Sequence, residues 1–138
     1  MIKDKVEIST DKDKIDVDFT HAFLNTTYWA KGRSREDVVK SIENSITYGV
    51  YLEGKQIGFA RVLTDYVVFA YIMDVFIIDE YRGKGYARDL MEVMLAHPEL
   101  QNVKRWFLGT VDAVGLYKKF GFSEVTKEIV WMDRRRKT

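Results

Sequence analysis

Asp79-Glu80-Tyr81-Arg82-Gly83-Lys84-Gly85-Tyr86-Ala87 is the stretch from which the fold is read, because two hydrophobic periods meet in it. Upstream, Tyr66 to Ile78 is rich in Val, Ile, Phe and Tyr. It is too uniformly apolar to face water on either side, which predicts a central strand. One carboxylate, Asp74, interrupts it, and strict alternation puts Asp74 on the same face as Ile72 and Phe76. Downstream, Ala87, Leu90, Met91, Met94 and Leu95 recur at helical spacing, which predicts an amphipathic helix from Gly85. Lys104 to Thr110 reads as the next strand, so strand, glycine turn, helix and strand form a βαβ unit.

Outward from this unit, Ser34-Arg35-Glu36-Asp37 opens a helix predicted over 35–46, with Val38, Val39, Ile42 and Ile46 on one face. Alternation from Tyr48 to Glu53 and from Gln56 to Leu63, around Gly54-Lys55, predicts a β-hairpin. On the other side, Asp112 is expected to cap a short helix carrying Ala113, Leu116, Tyr117 and Phe120. Gly121 supplies its left-handed end. A last strand is expected over Phe122 to Met132, a first one near Val6 to Ser9, and a short helix from Phe19 to Thr27. The sum is a single α/β domain with a mixed sheet flanked by helices.

The 138 residues, 46% of them apolar, suffice for one core, and one proline with no Gly/Ser-rich tract marks no linker. Twenty-two Lys and Arg against 21 Asp and Glu leave +1, so polyanion binding is not built into the whole surface. Arg134-Arg135-Arg136-Lys137 forms a short basic tail, read as a solvated terminus. No cysteine and two histidines, His21 and His97, exclude a disulfide framework, a thiol nucleophile and a thiolate zinc site, and no metal is expected. No run approaches the length of a membrane span and the N-terminus lacks an apolar leader, so a soluble, cytoplasmic protein is expected.

The glycine turn has a chemistry of its own. It opens a helix with no Ser, Thr, Asp or Asn at the cap, so the first N–H groups need acceptors from elsewhere. Two glycines let a phosphate approach the backbone, the helix dipole favours negative charge, and Arg82, Lys84 and Arg88 add positive charge. An ordinary turn capped by water satisfies the same sequence. A dinucleotide fingerprint would need Gly where Arg88 stands, and no P-loop pattern occurs.

Arg82-x-x-Gly85-x-Ala87 after a buried strand resembles the R/Q-x-x-G-x-G/A signature of the GNAT superfamily of N-acetyltransferases. Asp112-Ala113-Val114-Gly115-Leu116-Tyr117-Lys118-Lys119-Phe120-Gly121-Phe122 is similar to the family's second motif, N-A-x-x-L-Y-x-x-x-G-F. Ala87 stands where many members have Gly, and Asp112 where many have Asn. The resemblance implies a single acetyltransferase domain over 1–138, with 1–33 on the acceptor side and 133–138 a basic tail. It implies a V-shaped splay between two parallel central strands that admits acetyl-CoA. The pyrophosphate would take the backbone of Arg82, Gly83, Lys84, Gly85, Tyr86 and Ala87. Val75, Phe76 and Ile77 would lie beside the thioester, where a backbone N–H polarises the carbonyl, and Asp112 would join the cofactor-binding set.

On the same resemblance, Tyr117 is the candidate acid for the departing thiolate; a half-buried packing Tyr is the plain alternative. Asp74 is either a base acting through water, a binding group for a cationic substrate, or a buried structural carboxylate. Tyr28, Trp29 and Tyr66 fall in segments that border the family's acceptor pocket, and Lys31, Arg33 and Arg35 beside the aromatic pair suit an apolar acceptor with an anionic group. Core packing of Trp29 is the alternative there. The implied reaction is acetyl transfer to an amine, on a small molecule or else on a protein N-terminus or lysine. A non-catalytic acyl-CoA-binding module is the remaining class. Neither nucleic acid nor membrane is an expected partner, and a homodimer is allowed.

Overall fold

Glu53 and Gly54 both have positive φ, 51° and 79°, the backbone of a two-residue type I′ turn whose twist matches its flanking strands. They join β2 (Ile46–Leu52) to β3 (Lys55–Thr64), as the alternation predicts. The computed structural model describes residues 5–125 and 129–136. Its remaining strands are β1 (Glu7–Ser9), β4 (Phe69–Ile77) and β5 (Arg105–Phe107), and its helices are α1 (Val17–Leu24), α2 (Arg35–Glu43), α3 (Tyr86–Leu95) and α4 (Val114–Lys118). The sheet runs in the order β1-β2-β3-β4-β5. The first four strands are antiparallel, and β5 joins β4 in parallel through α3. That is the expected mixed sheet with its βαβ unit.

A core lies on each face. Ile57, Ala60, Val62, Ala70, Ile72 and Ile77 pack with Tyr86, Leu90, Met91 and Met94 of α3. Phe59 and Phe76 pack with Leu24 of α1 and with Val38 and Ile42 of α2, and Phe23 stacks on Phe76 at 4.0 Å between ring centroids.

One irregularity divides β4. Arg61 pairs with Met73 and Phe59 with Phe76, so Asp74 and Val75 together oppose Ala60, a β-bulge with Asp74 at φ 54°. The bulge inverts the alternation. Ile72 belongs to the α3-side core, while Phe76 belongs to the α1–α2 side and Asp74 bonds to Arg33, which precedes α2. The expectation that Ile72 shares a face with Asp74 and Phe76 is therefore corrected. Beyond Tyr71↔Phe107 the β4–β5 ladder stops, so β4 from Ile72 onward has no β5 partner among the described residues.

Several boundaries differ from the sequence pattern for local reasons. The 35–46 helix ends at Glu43, where the Ser45 hydroxyl bonds back to Ser41 O at 2.7 Å and Arg61 claims the same hydroxyl at 3.1 Å. The central strand starts at Phe69 rather than Tyr66, because the Asp65 carboxylate accepts from the amides of Val67, Val68 and Phe69 and Tyr66 takes φ 68°. α1 starts earlier than expected, with Asp16 accepting from Phe19 N at 3.0 Å. The 104–110 strand is only three residues long. Asp112 does not cap α4: Ala113 is the cap residue, and its amide donates to Thr110 Oγ1 at 3.0 Å.

The last strand expected over Phe122 to Met132 is absent at 122–125 and 129–132, and 126–128 lie outside the described residues. β5 offers it too short an edge. Trp131 instead meets the Phe107 ring edge-on at 4.9 Å, with the Arg105 guanidinium 4.6 Å from its own centroid. Among the described residues no helix is long and apolar enough to cross a membrane.

Gly58 on β3 lies tight against β4. A Cβ there would sit 2.6 Å from Ile77 Cδ1 and 2.7 Å from the backbone oxygen of Phe76, and the carbonyl has no room to yield. Gly58→Ala should lose about 1–3 kcal/mol of stability in a urea titration, with Gly54→Ala as the comparison for a pure φ penalty at an uncrowded site.

Candidate functional site

β4 leads into the glycine turn through a short 3₁₀ segment, Asp79–Tyr81. Gly83 and Gly85 then take φ 79° and 84°, which a side chain would disfavour. Gly85 holds the N-cap of α3, so no side chain caps the helix. The first amide to bond back is that of Asp89, to Gly85 O at 3.1 Å. Nothing lies within 4 Å of where a Gly83 Cβ would be, so the backbone of the turn is open to an approaching group. Tyr86 is buried beneath it, Ala87 packs against the same core, and Lys84 Nζ sits 5.5 Å from the Tyr81 ring centroid.

Arg82 has a different local job from the free charge the sequence suggests. Its Nε donates to Ile77 O at 2.9 Å and its Nη1 pairs with Asp79 Oδ1 at 2.9 Å, tying the end of β4 to the turn. Val75, Phe76 and Ile77 thus lead directly to the open helix start. Val75 packs on the α3-side core, Phe76 on the other.

Asp74 is the most heavily bonded side chain of the site. Its Oδ2 accepts from Arg33 Nη1 and from Arg61 Nε, both at 2.7 Å, and its Oδ1 accepts from Trp29 Nε1 at 3.0 Å. Burial works against its charge, but the hydrogen bonds and positive charge of Arg33 and Arg61 outweigh it and hold the carboxyl below its ordinary value. At neutral pH this group is an ion-paired carboxylate with little tendency to take a proton. Arg61 was not singled out by the sequence reading. Its signal was present all the same: one cation in Ile57 to Leu63 beside one carboxylate in the neighbouring strand.

Tyr117 lies on α4, half-buried against the α3-side core, its ring 6.1 Å from that of Phe122. Burial first, and the charge of Asp112 second, push its phenol above the usual value. Its carbonyl accepts from the amides of Phe120 and Phe122, and Gly121 takes φ 89° as expected. Asp112 itself is exposed. Tyr117 and Asp74 thus belong to opposite faces of the sheet.

Tyr28 is 72% exposed and meets Trp29, 44% exposed, edge-on at 5.2 Å. The Trp29–Asp74 bond couples this pair to the bulge. Tyr66, in the β3–β4 turn, is not part of that group; its amide donates to Thr64 Oγ1 at 2.9 Å and its side chain is exposed. Arg35 pairs with Asp18 at 2.7 Å on the surface, where such a pair contributes little.

A family model described as acetyltransferase (GNAT) family matches residues 16–122. A crystal structure of a candidate acetyltransferase of the GNAT family from Xanthomonas campestris shares 40% identity. It superposes with a TM-score of 0.92, covering 96% of this chain and 94% of that one. A candidate acetyltransferase of Gibberella zeae is 27% identical, over 81% of this chain and 75% of its own length. An acetyltransferase from Clostridium acetobutylicum, crystallised with acetyl-CoA, shares the fold at 14% identity and a TM-score of 0.68, covering 94% and 95% of the two chains.

Asp74→Asn leaves two guanidiniums without their counter-charge, an expected loss of about 3–5 kcal/mol at pH 7. Because folding lowers the Asp74 pKa, its stabilisation is complete above the unfolded value of about 3.9 and is lost as pH falls through the lower folded value. Denaturant titrations across pH should show the wild-type advantage over Asp74→Asn constant from pH 7 to about 5 and shrinking below about 4.

Proposed function

We propose that this chain, which belongs to the acetyltransferase (GNAT) family, transfers an acetyl group from acetyl-CoA to the amine of a small molecule. One juxtaposition carries this reading: the uncapped start of α3, with its two left-handed glycines, directly follows a β4 edge that has no β5 partner beyond Tyr71. An extended polar arm can hydrogen-bond to such an edge, and the anion that terminates it meets the turn.

When bound, acetyl-CoA supplies the acyl group as a thioester, which an amine nitrogen attacks as the C–S bond breaks. The chain's residues divide the remaining work. The amides of Gly83 to Ala87 and the α3 dipole hold the pyrophosphate, Lys84 and Arg88 add charge, and Arg82 keeps the turn aligned with β4. Asp112 borders the arm near α4. Asp74 and Val75 stand out of the β3–β4 pairing at the bulge, while the other edge of β4 beyond Tyr71 has no β5 partner among the described residues, so that an N–H of Val75–Ile77 on that edge can polarise the acetyl carbonyl.

Tyr117 gives its proton to the departing sulfur and regains one from solvent. A phenol with a raised pKa stays protonated across the neutral range, which suits a donor. The proton of the attacking amine leaves to water on the other face, where Asp74, ion-paired and below its ordinary pKa, serves as an anchor for Arg33, Arg61 and Trp29 rather than as a base. Tyr28 and Trp29 border the acceptor.

Saturating acetyl-CoA, at about 100 times Kd, should raise the unfolding free energy by about 2.7 kcal/mol, and Gly85→Val should abolish the shift; no shift with acetyl-CoA or CoA would sink the proposal. Tyr117→Phe should retain that shift while kcat falls roughly 10², as read by thiol release with amine and peptide acceptors. An unchanged rate would reduce Tyr117 to a packing residue, and a preference for peptides over all free amines would move the acceptor to protein.

A further inference from the structure

Arg33, Asp37, Lys40, Ser41, Asn44 and Arg61 line an open cavity of about 480 Å³ beside α2. Two of its walls are the guanidiniums that end on Asp74, with Arg33 21% and Arg61 10% exposed at the side chain. Both use the same carboxylate oxygen, and Trp29 uses the other, so each guanidinium spends only one N–H on Asp74. Arg61 gives a further bond to Ser45. Nη2 of Arg61, and Nε and Nη2 of Arg33, then have no acceptor among the described residues.

The charges do not balance either. Arg33, Arg61 and Lys40 face Asp74 and Asp37, which leaves one positive charge in excess around a cavity whose deepest cation is buried. Unfilled guanidinium donors that open onto a cavity with excess positive charge favour an anionic acceptor. Thr47, the register partner of Arg61 and therefore on its face, is buried with its hydroxyl unpartnered. The single excess charge, with Asp37 at the rim, suits a monoanion better than a phosphate dianion.

We infer that this cavity holds the carboxylate of the acceptor, and that the acceptor is an amino-carboxylic acid. The inference rests on the acetyl-transfer reading, since Asp74, the counter-ion shared by both arginines, immediately precedes the Val75–Ile77 segment beside which the thioester is placed. The cavity holds the acid end, the exposed Tyr28–Trp29 pair flanks the body, and the amine reaches the bulge.

The test uses matched pairs, with a panel of α- and ω-amino acids each set against its carboxamide. With acetyl-CoA, at least one free acid should exceed its amide tenfold or more in kcat/KM, chiefly through KM. Arg33→Gln should bring the pair near parity and Arg33→Lys should restore part of the preference. Calorimetric titration of the N-acetyl acid and the N-acetyl amide reads the same site without turnover: the acid should bind at least tenfold tighter, and Arg33→Gln should remove the difference. Equal binding of acid and amide across the panel, or tighter binding of the amide, overturns the inference. If the acids bind selectively but no amine is acetylated, the anion site stands and the transfer reading fails.

Discussion

The Asp74 bulge is the constraint on which both halves of the molecule depend. Inserting one extra residue into β4 turns the strand's apolar positions from one core to the other, so that Ile72 and Ile77 serve α3 while Phe76 serves α1 and α2. A non-glycine residue with φ 54° is strained unless its surroundings over-determine it. Three hydrogen bonds supply that determination, from an indole and two guanidiniums drawn from separate parts of the chain. Aspartate tolerates the left-handed region better than most residues and also brings the charge the arginines need. Conformation and electrostatics therefore select the same residue.

Much of the fold is legible in the sequence because its signals are local. The hairpin rests on Glu53-Gly54, the βαβ unit on a change of period across Arg82 to Ala87, and the start of α2 on Ser34, whose hydroxyl accepts from Asp37 N at 3.0 Å. Where expectation and structure part, a longer-range or side-chain interaction has intervened. Asp65 gathers three amides and delays β4 by three residues. Arg61, from another strand, holds the Ser45 hydroxyl at a position inside the expected 35–46 helix. The stretch from Phe122 to Met132 holds the strand-favouring Val125, Ile129, Val130 and Trp131, yet residue type cannot report whether a neighbouring strand has an edge to offer.

The site divides along the same line. The glycine turn, the uncapped helix and the half-buried Tyr117 follow from residue types at fixed spacing. The Asp74 cluster does not, because its members lie at positions 29, 33, 61 and 74 and meet only through the register of β3 with β4 and the path of the α1–α2 connection. Strict alternation also puts Ile72 on the face of Asp74 and Phe76, which the structure does not, since a bulge at an aspartate carries no glycine to announce it. A lone charge in each of two adjacent apolar strands was the available clue.

Spatial order in the sheet repeats chain order from β1 to β5. Short turns join β2 to β3 and β3 to β4, whereas β5 waits for α3 to cross over and then contributes three rungs. In folding terms the β2–β3–β4 meander can assemble from near contacts, and the parallel seam closes only after a much larger loop has been ordered. In the native protein that seam has three rungs, as few as the β1–β2 seam, beside the much longer β4. It is thus a natural place for sub-global opening, one in which β5 and α4 detach while the meander persists. The fold keeps a three-rung joint at the edge where the proposed ligand arm would enter, and that arm would extend the ladder along the part of β4 that β5 leaves open.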